Sequence, residues 1–143
     1  YTGKHLYKYK GEMPDNTSIV IKEETVTICE YAFDGCKGLT RITIPSSIRC
    51  IHNYAFCGCS NLKEIYCKGQ TPPYLNNFYS EYHNDVVLYV PKGAKEIYKN
   101  SDNMGYFENI KEIDFDNWIG GNLQNIRGCK VVEIRYTDKA KWL

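Results

Sequence analysis

A 23-residue period limits what this chain can fold into. When residues 19–41 are laid over residues 42–64, nine positions carry the same residue. Nearly all of them are apolar or small: Ile19/Ile42, Ile21/Ile44, Ile28/Ile51, Tyr31/Tyr54, Ala32/Ala55, Phe33/Phe56, Gly35/Gly58, Cys36/Cys59 and Leu39/Leu62. Stacked rungs need this pattern, because each rung buries its inward side chains against the same side chains of the next. The period therefore predicts a solenoid.

The spacing inside each repeat predicts a short strand. A Leu-x-x-Ile-x-Ile motif at residues 39–44 returns at residues 62–67, where Cys67 takes the last position. This spacing is similar to that of leucine-rich repeats, in which a strand turns alternate residues into the core. Pro45 follows the first motif and ends the strand, because proline lacks a backbone donor.

Two segments carry a more specific resemblance. The strings EYAFDGCKGLTRITIPSSI and NYAFCGCSNLKEI resemble the BspA-like leucine-rich repeats of bacterial surface and secreted proteins, whose pattern is roughly AFxGCxxLxxIxIPxSVxxI. The match is strongest over residues 28–65. The resemblance implies a non-catalytic protein-binding or adhesion module, located outside the cell or on its surface. It also implies that Cys36 and Cys59 are stacked core thiols, with a disulfide between them as the alternative.

The period continues on both sides of this segment. It predicts five short parallel strands, beginning near Ile19, Ile42, Ile65, Leu88 and Ile113. The last spacing is longer, so we expect a helix over residues 92–100 to fill that rung. The string LYVPKGAKEIYKN also resembles the segment that closes many proteins of this family. At the front, the alternation of residues 6–10 predicts a strand or hairpin that covers the first rung.

These elements define one fold and one domain. We predict an α/β-type repeat solenoid, a short right-handed leucine-rich-repeat coil, over residues 1–116. It divides into an N-terminal cap at 1–18, clear repeats at 19–69, and a divergent repeat with a helix-containing cap at 70–116. Residues 117–143 stay unassigned, although Val131 to Tyr136 has the composition of a strand.

Charge and cysteine content exclude several functions. The formal net charge of +1 provides no long-range attraction to nucleic acid. No apolar run approaches the roughly 18 residues that would suggest membrane insertion. The seven cysteines are odd in number and include no CxxC pair, so we predict neither a complete disulfide framework nor a structural zinc site. Cys67 falls on a core position, which a small thiol fills as a hydrophobe.

The outward face of the strands is the first candidate site. Residues that lie between inward ones should point to solvent. They form a column with two flanking charges: Val20, Thr43, Tyr66, Tyr89, Asp114, Arg41 and Glu64. Tyrosines beside mixed charges suit recognition of a protein partner, since tyrosine combines apolar area with a polar tip. The alternative is an ordinary exposed sheet whose residues follow strand propensity.

The loop at residues 70–85 is a second candidate. Its aromatic residues are Tyr74, Phe78, Tyr79 and Tyr82. They suit a stacking platform for a sugar or an anchor for a protein. Alternatively, they cover the rung in which the AFxGC turn is absent, because a missing core turn must be replaced by something apolar.

Catalytic and cofactor motifs are absent from the sequence. There is no GxGxxG, GxxxxGK[ST], HExxH or GxSxG, so we predict no enzyme and no cofactor. An enzyme would need a cleft formed by residues 70–85 or by the tail. A metal cluster of Cys29, Cys50, His52 and Cys57 lacks a recognisable geometry. The remaining alternatives to protein binding are a glycan-binding module and a structural spacer.

Overall fold

The computed structural model describes residues 4–9, 11–76, 85–102 and 104–117, and the backbone of 130–134. Within these residues, two parallel sheets run along the chain. The first, here called the rung sheet, consists of β2 (Thr17–Ile21), β4 (Leu39–Ile44), β6 (Glu64–Cys67), β8 (Val87–Pro91), β9 (Asn109–Ile113) and β10 (Lys130–Ile134). The second sheet consists of β1 (His5–Leu6), β3 (Thr27–Ile28), β5 (Cys50–Ile51) and β7 (Tyr74–Leu75).

Stacked apolar columns fill the space between the sheets. In the rung sheet, Ile42 pairs with Ile19 on one side and Ile65 on the other, and Ile65 pairs with Leu88. All four side chains are buried. The predicted solenoid with rungs of about 23 residues is confirmed, because identical positions of successive rungs meet in register.

The YAFxGC turn builds the rest of the core. The Phe33 and Phe56 rings stack with centroids 5.6 Å apart and an interplanar angle of 0°. Gly58 adopts φ +77°, and a Cβ there would lie 3.2 Å from the backbone of Gly35. The repeat therefore needs glycine at this position, both for the left-handed backbone and for the close approach of adjacent rungs.

A short helix and a turn close the C-terminal end, as predicted. Helix α1 (Lys95–Lys99) is followed by a 3₁₀ turn (Met104–Tyr106). Tyr98 is fully buried, and its hydroxyl donates a hydrogen bond to the carbonyl oxygen of Gly69 at 2.7 Å. This bond ties the cap to the loop that follows the third rung strand.

The last rung strand differs from the prediction. Leu88 pairs with Ile110 rather than with Ile113, so β9 begins earlier than the local similarity to residues 62–67 indicates. Five consecutive residue pairs, from Val87/Asn109 to Pro91/Ile113, fix this register. In this register Ile110 takes the position next to the buried Leu88, and Ile110 is itself buried.

Of the two alternatives predicted for the N-terminal segment, a strand or a hairpin, the structure has the strand. Strand β1 lies in the second sheet, where His5 pairs with Thr27 and Leu6 with Ile28, both in parallel. It is therefore not part of a hairpin. The edge of β2 is covered instead by β10, which pairs with it over five residues. That strand lies within the segment for which the sequence predicted only a possible strand.

The cysteines of the core positions are thiols. Cys59 and Cys67 are fully buried, and Cys36 is half-buried against the core. All three are free, and the Cys59 thiol donates to the Phe33 carbonyl oxygen at 3.1 Å. Burial raises the pKa of Cys36 to about 11 and that of Cys67 to about 12. They remain protonated at neutral pH and pack as small hydrophobes.

The strand face as candidate binding site

Strand alternation produces an outward column on the rung sheet. Val20, Thr43, Tyr66 and Tyr89 pair in sequence across β2, β4, β6 and β8, as predicted. The next member is Lys111, because Tyr89 pairs with Lys111 in β9. The sequence predicts Asp114 at this place. That prediction is wrong, because it assumed that Leu88 pairs with Ile113, whereas Leu88 pairs with Ile110.

Asp114 lies beyond the end of β9 in a turn. Its carboxylate accepts hydrogen bonds from the Asn117 side-chain amide at 2.7 Å and from the Asp116 backbone N–H at 3.0 Å. The hydrogen bond from the Asn117 side chain is the main reason that the pKa of the Asp114 carboxyl is lowered. Asp114 therefore stabilises a local turn and does not extend the column.

The centre of the strand face is an ordered polar and aromatic network. The Tyr66 and Tyr89 rings stack with centroids 4.6 Å apart and an interplanar angle of 8°. The Tyr66 hydroxyl donates to Glu64 Oε1 at 2.7 Å, and Arg41 Nε donates to the same oxygen at 2.9 Å. Arg41 also donates to Asn16 Oδ1 at 3.2 Å. The network fixes the orientation of the tyrosine stack.

Burial keeps the tyrosines neutral. Burial, together with the hydrogen bond to Glu64, raises the pKa of Tyr66, and burial raises that of Tyr89. Both phenols therefore stay protonated across the physiological pH range and act as hydrogen-bond donors.

Two members of the predicted face are buried rather than exposed. Tyr66 is 7% exposed and Thr43 is 2% exposed. Tyr66 is packed between the Tyr89 ring and the Glu64–Arg41 pair, which removes it from solvent. Val20 is half-buried. Of the predicted column, Val20 and Tyr89 therefore keep partial exposure, one on each side of the buried Thr43 and Tyr66.

Replacing Thr43 by valine should stabilise the protein. Among the described residues it has no hydrogen-bond partner, although it is buried. A buried donor without a partner costs free energy, so Thr43→Val should raise the free energy of unfolding by about 1 kcal/mol. Thr17→Val is the matched control, because the buried Thr17 hydroxyl donates to the Pro14 carbonyl at 2.6 Å. It should lower stability by about 1 kcal/mol. Urea unfolding measures both, and equal losses would contradict the assignment.

The most accessible part of the face lies over β8 and β9. Tyr89 and Val87 are half-buried, whereas Asn109 and Lys111 are exposed. Asn109 and Lys111 were not predicted from the sequence. A strict 23-residue count from Leu88 ends at Lys111 and would have indicated this strand, but the local match to residues 62–67 favours Ile113.

The second candidate, the aromatic loop, is described only in part. Tyr74 lies in β7 and is 58% exposed. Phe78, Tyr79 and Tyr82 lie outside the described residues. The roles predicted for this loop therefore stay predictions.

Two of the cysteine and histidine positions discussed above lie close together. Cys50 Sγ and His52 Nδ1 are 3.7 Å apart on the outer side of the second sheet. In the part of the chain that the structure describes, no group of three or more His, Cys, Asp or Glu side chains is arranged to hold a metal ion.

Comparison with known families decides the wider relationship. The model of the BspA-type leucine-rich-repeat region matches residues 7–133 in six copies. The chain belongs to the BspA-type leucine-rich-repeat family. This confirms the resemblance that the YAFxGC segments indicate. No curated protein matches the chain.

Membership of the BspA-type family indicates a general class of function. Leucine-rich repeats of this type are generally non-enzymatic scaffolds that mediate protein interactions. Across the described ranges, no helix is long and apolar enough to cross a membrane.

Proposed function

We propose that this chain is a non-catalytic protein-binding module whose partner contacts the strand face over β8 and β9. The Tyr66–Tyr89 stack is the observation that carries the proposal. It presents the half-buried ring of Tyr89 in a fixed orientation beside the exposed Lys111. In this arrangement Tyr89 is the anchor, and Lys111 and Asn109 form the polar rim.

The network behind Tyr89 supports binding without contacting the partner. Arg41 and Tyr66 both donate hydrogen bonds to Glu64, so the tyrosine stack is ordered before a partner binds. A side chain that is already held loses little conformational entropy on binding, and this increases affinity. The proposed contribution of Val20 and Thr43 is likewise to shape the sheet that supports the anchor.

The stack favours a protein over a glycan. A sugar ring packs on the open face of an aromatic ring, but Tyr66 covers one face of Tyr89 at 4.6 Å and Lys111 is the next residue of the column on the other side. Aromatic anchors with a polar rim are typical of protein interfaces. We further propose that the module acts outside the cell or on its surface in adhesion, as the family relationship suggests.

The test is a binding screen with the purified chain against extracellular-matrix and cell-surface proteins and a glycan array. For the protein that binds, Tyr89→Ala should weaken binding by about ten-fold or more, as expected for a central aromatic anchor. Tyr106→Ala is the matched control, because Tyr106 is 63% exposed and lies outside the strand face. It should leave binding unchanged.

Each other outcome of the screen contradicts part of the proposal. Binding that survives Tyr89→Ala in a folded protein would place the site elsewhere on the chain. Binding to glycans alone would replace the protein-binding role. A complete lack of binding would favour a structural spacer.

A further inference from the structure

Two tyrosines of the YAFxGC turns, Tyr31 and Tyr54, form an aromatic ridge away from the strand face. Tyr31 and Tyr54 occupy the same repeat position, and their rings stack with centroids 5.5 Å apart and an interplanar angle of 29°. Tyr31 is 40% exposed, and Tyr54 is half-buried. The ridge is thus an aromatic surface that is not buried in the core.

The backbone at both positions is strained. Tyr31 and Tyr54 each have φ of 58°, in the left-handed region where a bulky side chain is unfavourable. Glycine or asparagine suits this conformation better. Strained residues cluster at functional sites, where the side chain is needed more than the local stability it costs. The strained backbone therefore indicates that the side chains of Tyr31 and Tyr54 have a function beyond packing.

One ring face of Tyr31 is not part of the repeat stack. Tyr9 takes the place of Phe33 in the first rung, since Tyr9 N–H donates to the Ala32 carbonyl and its ring stacks on Phe33. Tyr9 comes three residues after Leu6, whereas Phe33 comes five residues after Ile28, its pairing equivalent. Counting back from Tyr9, the position of Tyr31 falls on Tyr7, whose ring contacts that of His5 with centroids 6.0 Å apart. Tyr54 packs on one side of the Tyr31 ring, and among the described residues no ring stacks on the other side.

The charges that act on Tyr31 are negative. Besides burial, the carboxylates of Glu30 and Asp34 both raise the pKa of its phenol, and neither is offset there by a cation. Asp34 also lines an adjoining groove of about 630 Å³. Among the described residues that line the groove are two further carboxylates, Glu12 and Asp15, and one lysine, Lys37. The charge of Lys8 acts on the Cys36 thiol, which also lines the groove, and opposes the rise of its pKa.

We propose that this ridge and groove bind an arginine-bearing segment of a partner protein. The guanidinium stacks on the open face of Tyr31, where ring and cation attract each other. Glu30 and Asp34 pair with its N–H groups, and a second basic side chain of the segment lies in the groove. This surface is separate from the strand face, so the inference does not depend on the proposed function.

The experiment uses the full chain and a fluorescent peptide, acetyl-Gly-Arg-Gly-Arg-Gly-Arg-Gly-amide. Its matched probe replaces each arginine by citrulline, which keeps the shape and removes the charge. By anisotropy at low salt, the arginine peptide should bind about ten-fold or more tightly than the citrulline peptide. Tyr31→Asn should weaken arginine-peptide binding about five-fold or more, because asparagine tolerates the left-handed backbone but has no ring.

The controls separate a specific site from general attraction. Tyr106→Asn removes an exposed aromatic residue elsewhere and should leave the affinity unchanged. Tyr89→Ala should also leave it unchanged, so failure here is distinguishable from failure of the strand-face proposal. Should Tyr31→Asn prove unfolded by circular dichroism, the Glu30→Gln/Asp34→Asn variant tests the site with the ring intact. Equal binding of the two peptides, or full binding by the folded variants, would overturn the proposal.

Discussion

Phe33→Ala should lower the free energy of unfolding by about 3 to 5 kcal/mol. Phe33 is fully buried, and aromatic rings contact it on both sides: Tyr9 at 6.4 Å and Phe56 at 5.6 Å between centroids. The variant loses the transfer free energy of the ring and leaves a cavity between two rungs. Neighbouring rings cannot close that cavity, since the paired strands hold the rungs at a fixed spacing.

Tyr74→Ala is the control for this prediction. Tyr74 is also aromatic and lies in a strand, but it is 58% exposed. Its replacement should change stability by less than about 0.5 kcal/mol. Equilibrium unfolding in urea measures both variants. A loss at Phe33 no larger than that at Tyr74 would contradict the assignment of Phe33 to the core.

Tyr98→Ala should have a comparable effect, about 3 to 5 kcal/mol, at the other end of the solenoid. Tyr98 is the fully buried residue of α1, and its hydroxyl bonds to the Gly69 carbonyl. Tyr98→Phe keeps the ring and removes only the hydroxyl. It should cost about 1 kcal/mol, because the half-buried Gly69 loses the donor to its carbonyl oxygen.

Ile97→Ala is the matched control for the cap. Ile97 precedes Tyr98 in the same helix but is 48% exposed. Its replacement should cost less than about 0.5 kcal/mol in the thermal or urea unfolding experiment. A Tyr98→Phe variant as unstable as Tyr98→Ala would show that the hydrogen bond, rather than the ring, holds the cap in place.

The rung core could be predicted from the sequence because its signal is repeated. Ile19, Ile42 and Ile65 recur at the period of the solenoid, and each must match the next to be buried. Errors of register in this region would expose several apolar residues at once. The same strength of signal fixed the place of Phe33 and Phe56.

The candidate site was less predictable, because it depends on single residues and on their partners. Alternation correctly places Tyr66 and Tyr89 in one outward column, but it does not reveal that Tyr66 is covered by its own neighbours. It also gave Asp114 in place of Lys111, since two competing local matches differ by only a few residues. The repeat shows Tyr31 and Tyr54 as equivalent positions, but it does not show that their rings lie at the surface.

The sequence by itself determined the period, the inward residues and the closing helix, because burial of repeated apolar side chains leaves few alternatives. The tertiary structure alone decided the register of β9, the return of β10 to the edge of β2, and the Arg41–Glu64–Tyr66 network. These features depend on contacts between residues far apart in the chain. Their free energies are small compared with that of the core, so they leave no periodic trace in the sequence.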